Sequence, residues 1–309
     1  MWKEILNWAK SEIETDGYCV IQAGSTERSV LLELTEYFGK RQRHPLVDEW
    51  GIHEVSTLSY DKNVPIVKQQ YLGNTTQEHP PHTDGVYLDG IAKTKDGRLI
   101  QIKPPQLVFM QMVETPEEGG ASLVLDCQQV LEDALHSTPD LVEVLLKPCV
   151  VYSRDDQLVC SPVFEQISAK TWRIRWRYDF TLLVEQSAGD ALKLFYSKYI
   201  SNPKYQKRFY LQPGEILVVD NFRVIHGREA FKNRPEKPRL LRRVWIADTE
   251  KVFVNPIGQP KHQRVYDQYE PYSYIEGEDR KSLISVSTGI RLSPDSQHIA
   301  KQLLFGSPL

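Results

Sequence analysis

The stretch HPPHTDGVYLDG, residues 79–90, sets a histidine and a carboxylate one residue apart, at His82 and Asp84. Both can reach one metal ion if the chain between them bends at the end of a strand. Alone the pattern is weak, because H-x-D is common. A second stretch far downstream, VVDNFRVIHGREAF (residues 218–231), carries His226, and a third, RLLRRVW (residues 239–245), carries Arg239 and Arg243. Two histidines and one carboxylate on one face of a ferrous ion leave positions open for a chelating cosubstrate and oxygen. The same ligands suit zinc or manganese, and no cysteine lies close in sequence to favour a structural zinc site. The three candidates are distant along the chain, so only a fold that brings two strand ends together can join them.

Composition narrows the field. In 309 residues, 38 Lys and Arg stand against 41 Asp and Glu, a net charge of −3. That balance lacks the basic stripe of a nucleic-acid-binding protein, and no nucleic-acid partner is expected. Cys19, Cys127, Cys149 and Cys160 are widely spaced, form no C-x-x-C and read as reduced, mostly buried thiols. The N-terminal MWKEILNWAKSEIETDG reads as an amphipathic helix with glutamates, not as a signal peptide. No apolar run approaches the ~18 residues of a membrane helix. A cytoplasmic protein without a membrane partner is expected.

Local patterns predict helices over residues 4–14, over the turns after Ser25 as N-cap and up to Gly39, over 127–135 behind Asp126, over 139–146 and from Ser187 to about Ile200. They predict strands at residues 18–22, 65–71, 107–113, 121–125, 149–153, 171–178, 216–219 and 239–246. Residues 40–63 read as irregular, 73–85 as loop, and 86–105 as a long loop with a small hairpin at Lys95-Asp96-Gly97. Residues 250–309 give no clear pattern. Many short strands with a few attached helices predict a mainly β protein, a sandwich or jelly roll.

The arginines suggest an anion. Arg239 and Arg243 stand four apart in a predicted strand and point the same way. Arginine binds a carboxylate through two parallel hydrogen bonds. The competing reading is a solvated basic edge, since Arg234, Lys237 and Arg242 are near. Ser122, after Gly119-Gly120, can add a hydroxyl hydrogen bond to the same carboxylate. In the alternating TWRIRWRY, one of Arg173, Arg175 and Arg177 is expected to reach an anionic substrate, Arg175 first, while the others face solvent. Tyr71 and Tyr87 are candidate pocket walls. Arg228 is expected to brace the loop carrying His226, and Asp220 and Asn221 to shape the turn before it. His79 reads as an ordinary core or surface histidine.

Taken together, HTDG, GGAS, DNFRVIHGREAF and RLLRRVW resemble the TauD/TfdA group of iron(II)- and 2-oxoglutarate-dependent dioxygenases, with its γ-butyrobetaine hydroxylase and clavaminate synthase branches. The resemblance runs from DGYCVIQ (residues 16–22) to about Ile246. It implies a double-stranded β-helix, cupin-like, in one domain spanning residues 1–309. The jelly-roll core would cover about 60–250, with flanking segments at 1–60 and 250–309. It implies Fe(II) on His82, Asp84 and His226, and 2-oxoglutarate anchored by Arg239 with Ser122 and Arg243 nearby. It implies consumption of O2, release of succinate and CO2, and hydroxylation of an unactivated C–H bond. Desaturation or cyclisation is the variant outcome, and Asp84 argues against halogenation. The expected partner is a small molecule, an amino acid or natural-product intermediate, with anionic compounds included; a homo-oligomer is allowed. The alternatives are a cupin-like metalloenzyme that ignores 2-oxoglutarate, and a non-catalytic binding protein of the same fold.

Overall fold

The computed structural model describes residues 2–42, 44, 46–57, 72–88, 90–93, 99–102, 104–154, 157–166, 172–179, 182–184, 186–247, 264–267 and 270–274. Ten strands make its two main sheets. They are β1 (Tyr18–Gln22), β2 (Lys40–Arg41), β3 (His53–Ser56), β4 (His79–His82), β5 (Leu107–Glu114), β6 (Ser122–Asp126), β7 (Lys207–Phe209), β8 (Glu215–Asp220), β9 (Val224–Arg228) and β10 (Leu240–Ala247). One sheet runs β1-β8-β5-β10-β2, with β3 also on β10, and the other runs β7-β6-β9-β4. Every pairing in both is antiparallel. The sheets share one apolar cluster and form the expected jelly roll.

The sequence of β5 shows why it is apolar throughout. Leu107 and Phe109 pack under helices α1 (Trp2–Asp16) and α2 (Arg28–Phe38). Val108, Met110 and Met112 point the other way, into the space between the sheets. A strand covered on both faces has no position left for polar alternation. Helix α1 buries Leu6, Ala9 and Ile13, a stripe at helical spacing. Helices α3 (Cys127–Ser137), α4 (Pro139–Leu145) and α5 (Gln186–Phe195) pack on the same cluster as the second sheet. Asp126 caps α3 by accepting from Gln128 N at 3.0 Å, as expected.

Several expectations need correction. Ser25 does not cap α2; it accepts from Glu27 N in the turn before it, and the helix starts at Arg28, which is tied to Asp48 and Glu54. Residues 40–63 contain β2 and β3, which gain their structure by pairing with β10 rather than from local pattern. Residues 79–82 are strand, not loop. TWRIRWRY keeps only Trp172–Ile174 as strand, because its partner Phe164–Gln166 is that short. Gly90–Lys93 and Leu99–Ile102 pair as the small hairpin. Its turn, the predicted strand 65–71 and most of 250–309 lie outside the described residues. Among the described residues, no helix is long and apolar enough to cross a membrane.

Candidate active site

Register joins the two distant motifs. His82 ends β4, and His226 stands opposite it on β9. Their ring centroids are 4.8 Å apart. Asp84 follows in the turn, with Oδ1 3.4 Å from His82 Nε2 and Oδ2 3.9 Å from His226 Nε2. One ligand atom from each of the three lies within 4.8 Å of the others, and all three side chains are buried. His82 Nδ1 lies 2.9 Å from the Pro80 carbonyl. With the proton on Nδ1, Nε2 keeps its lone pair for a metal. His82 Nε2, which faces the triad, is buried with no hydrogen-bond partner. Unpaired buried nitrogens are costly unless something binds there. Two imidazoles and one carboxylate therefore fit a ferrous ion.

The turn is fixed from several sides. Asn221 Oδ1 accepts from Asp84 N at 2.7 Å, and Asn221 Nδ2 donates to Asp84 O and Pro105 O, both at 2.9 Å. Thr83 N donates to Trp176 O at 2.7 Å. Gly85 has φ 68°, and a Cβ there would meet Pro105 Cδ at 2.8 Å. The Asp84 carboxylate is held too. Arg243 Nη1 donates to Oδ1 at 3.0 Å and Trp245 Nε1 to Oδ2 at 2.7 Å. Burial pushes this carboxyl up, but Arg243 and the two histidines outweigh it and hold it well below the usual range. Burial, with His82 adding to it, takes His226 down to about 3. His226 is thus a neutral imidazole beside an ionised carboxylate, as metal binding requires.

The arginines divide by task. Arg239, just before β10, is 4% exposed and lines the cleft with Ser122. Its Nε has no partner, and no carboxylate among the described residues pairs with it. Burial lowers its pKa only to about 10, so it stays charged at neutral pH. Arg228 also lines the cleft, and it shares the Phe231 ring with Arg239 at 4.4 and 5.5 Å. Arg228 donates to the carbonyls of Leu72, Thr75 and Gln77. It therefore braces the segment entering β4, rather than a loop carrying His226, which is itself in a strand. Arg243 lines the cleft, but Asp84 and His53 Nδ1, at 3.0 Å, engage its guanidinium.

Arg175, expected to reach substrate, is buried and donates to Val86 O at 2.8 Å, and is not among the residues lining the cleft. Arg177 lines it instead, with Nε donating to Asp179 at 2.5 Å. Only Arg173 keeps the partly exposed, ion-paired role, on Glu165. Burial of Arg175 and Arg177 overturns the solvent-facing reading, because the chain leaves regular strand after Ile174 and runs along the turn that carries Asp84. Tyr87 is buried and lines the cleft, while Tyr71 lies outside the described residues. His53, Trp245 and His79 line the cleft without having been singled out as site residues. Trp245 was accessible to reasoning, since it stands two residues after Arg243 and shares its face. His53 had no local signal, because only its pairing with Arg243 brings it there.

A jelly roll with a two-histidine, one-carboxylate centre at neighbouring strand ends, and a buried arginine in the same cleft, defines a class: non-haem iron dioxygenases that take 2-oxoglutarate. The chain belongs to the taurine catabolism dioxygenase TauD, TfdA family, whose sequence profile matches residues 3–245. A uridine-5'-phosphate dioxygenase of Streptomyces sp. is 26% identical over 246 residues, covering 75% of this chain and 85% of that one. The structure is similar to an asparagine oxygenase solved with Fe(II), 2S,3S-3-hydroxyasparagine and succinate, at TM-score 0.59 and 16% identity, covering 80% of this chain and 79% of that one. It is also similar to the non-heme iron oxygenase OrfP solved with Fe and alpha-ketoglutaric acid, at TM-score 0.58 and 15% identity, covering 80% of each chain. The chain is accordingly an Fe(II)- and 2-oxoglutarate-dependent dioxygenase acting on a small molecule, with O2 consumed and succinate and CO2 released.

Proposed function

We propose that His82, Asp84 and His226 hold the iron, that Arg239 and Ser122 take the far carboxylate of 2-oxoglutarate, and that the enzyme hydroxylates an unactivated C–H bond of a small anionic substrate. When bound, iron supplies the activation of oxygen that this family couples to decarboxylation of the 2-oxo acid. The chain's own residues bind and orient. Arg243 and Trp245 fix the Asp84 carboxylate, and Asn221 fixes the turn that carries it. The observation that carries this reading is Arg239, a buried cation without a described counter-ion in the same cleft as the triad. A buried charge left unpaired is strongly unfavourable, so its natural complement is a ligand anion.

Charge supports an anionic substrate. Four arginines line the cleft, against the carboxylates of Asp84 and Asp179. A ferrous ion and a doubly charged 2-oxoglutarate cancel each other, so two positive charges remain. The name of the Streptomyces relative makes a phosphorylated nucleoside the first candidate, ahead of amino acids. The cytoplasm is the proposed compartment, supported by the buried thiols of Cys19 and Cys127, which form no disulfide.

Anaerobic absorption spectroscopy with Fe(II) and added 2-oxoglutarate tests the reading. A weak visible charge-transfer band is expected, lost in Asp84→Ala and requiring roughly a hundredfold more 2-oxoglutarate in Arg239→Ala, since two charge-assisted bonds contribute about 3 kcal/mol. Iron binding with no band would instead favour a metalloenzyme that ignores 2-oxoglutarate.

A further inference from the structure

His79 lines the cleft and has no task in the reading above. In a regular strand, residues three apart point to opposite faces. Yet the His79 ring lies on His82, with centroids 4.0 Å apart and 32° between planes. A bulge produces this. His82 pairs with His226 and His79 with Arg228, so β4 spends three residues where β9 spends two. The extra residue falls at Pro80-Pro81, which have no N–H to place in a ladder. Gly227 opposite makes room: a Cβ there would stand 2.8 Å from His79 O and 2.9 Å from Pro81 N. Bulges beside active sites re-aim side chains. This one turns His79 toward the cleft, where its Nε2 is buried with no partner. Arg177 lines the same cleft, its backbone fixed beside the metal turn by the Thr83–Trp176 hydrogen bond.

We propose that His79 and Arg177 recognise an oxyanion, phosphate or carboxylate, on the primary substrate. This rests on the reading that Arg239 and Ser122 serve the cosubstrate. His79 contributes one hydrogen bond through Nε2, and Arg177 contributes charge.

The test is anaerobic calorimetry on the full chain loaded with Fe(II) and 2-oxoglutarate, using uridine 5'-phosphate, L-asparagine and uridine as probes. Uridine 5'-phosphate binding would identify phosphate as the recognised group, and asparagine binding would identify a carboxylate; uridine should bind at least tenfold more weakly than its phosphate. Affinity for the anionic probe should fall at least tenfold in His79→Phe and in Arg177→Met, and partly recover in His79→Gln. The 2-oxoglutarate dissociation constant, read from the visible band, should move less than twofold in all three. The proposal is overturned if neither anionic probe binds the wild-type protein, or if the variants bind it as the wild type does. It is also overturned if His79→Phe and His79→Gln both weaken the 2-oxoglutarate band, which would place His79 in the cosubstrate site. Absence of the band in the wild type would overturn the broader reading as well, whereas a normal band without anion recognition overturns this one alone.

Discussion

Asp84 is the side chain on which the centre depends, and its two oxygens are held by different donors, Arg243 and Trp245. Trp245→Phe keeps the ring and removes only the indole N–H. A hydrogen bond to a charged group contributes about 1.5 kcal/mol or more, so Fe(II) should bind roughly tenfold more weakly in an anaerobic titration. Asp220, the last residue of β8, shows the opposite electrostatics. Burial pushes its carboxyl up, from an ordinary 3.8 to about 6, despite the hydrogen bond it accepts from Phe222 N. A carboxyl raised in the folded state stabilises most when protonated, and that contribution is lost as pH rises from 3.8 toward about 6. Asp220→Asn should therefore gain stability relative to wild type above about pH 6 and lose that advantage near pH 4. Urea denaturation at pH 4 and pH 8 measures it; an equal effect at both would show that the carboxyl is not shifted. Some of these positions were legible in sequence. The triad, Arg239 and Ser122 all stand in the cleft, whereas Arg177 takes the cleft position expected of Arg175, and Arg175 is buried on backbone carbonyls, because strand alternation stops at Ile174.

Among the elements, the β4–β9 pair does most to build the site. Gly227 faces the bulge closely, and the atoms a side chain there would meet are backbone atoms of β4. Gly227→Ala should part the strands around the bulge, lowering the melting temperature and weakening Fe(II) binding together. Loss of iron with an unchanged melt would mean that the strand contact is not what positions His82. The elements foreseen correctly share a local cause. β1 is a short β-branched and aromatic run, and α3 begins behind an aspartate that caps it. Those missed, β2, β3, β4, β7 and β9, are two to five residues long and exist through their partners. No local pattern can announce a strand whose stability lies in another strand's hydrogen bonds.

In the molecule as a whole, two sheets, each covered by helices, press several charges into one cleft, Arg239 among them without a described counter-ion. Folding gathers two imidazoles and a carboxylate, all buried, within 4.8 Å of one another, so bound metal should stabilise the fold measurably. At about a hundred times its dissociation constant, a ligand specific for the folded state adds about 2.7 kcal/mol. Under anaerobic conditions, Fe(II) or Mn(II) should raise the melting temperature by several degrees, with EDTA reversing the rise; no shift with either ion would rule out the triad as a metal site. Composition and motif were enough to specify a mainly β fold and to single out His82, Asp84, His226 and Arg239, the residues proposed for metal and carboxylate, because residue chemistry and side-chain parity are local properties. Antiparallel register set His226 against His82, packing withdrew Arg175 into structure, and a bulge turned His79 into the cleft. Those outcomes depend on which strands meet, and at what offset, a property of pairs of segments more than a hundred residues apart.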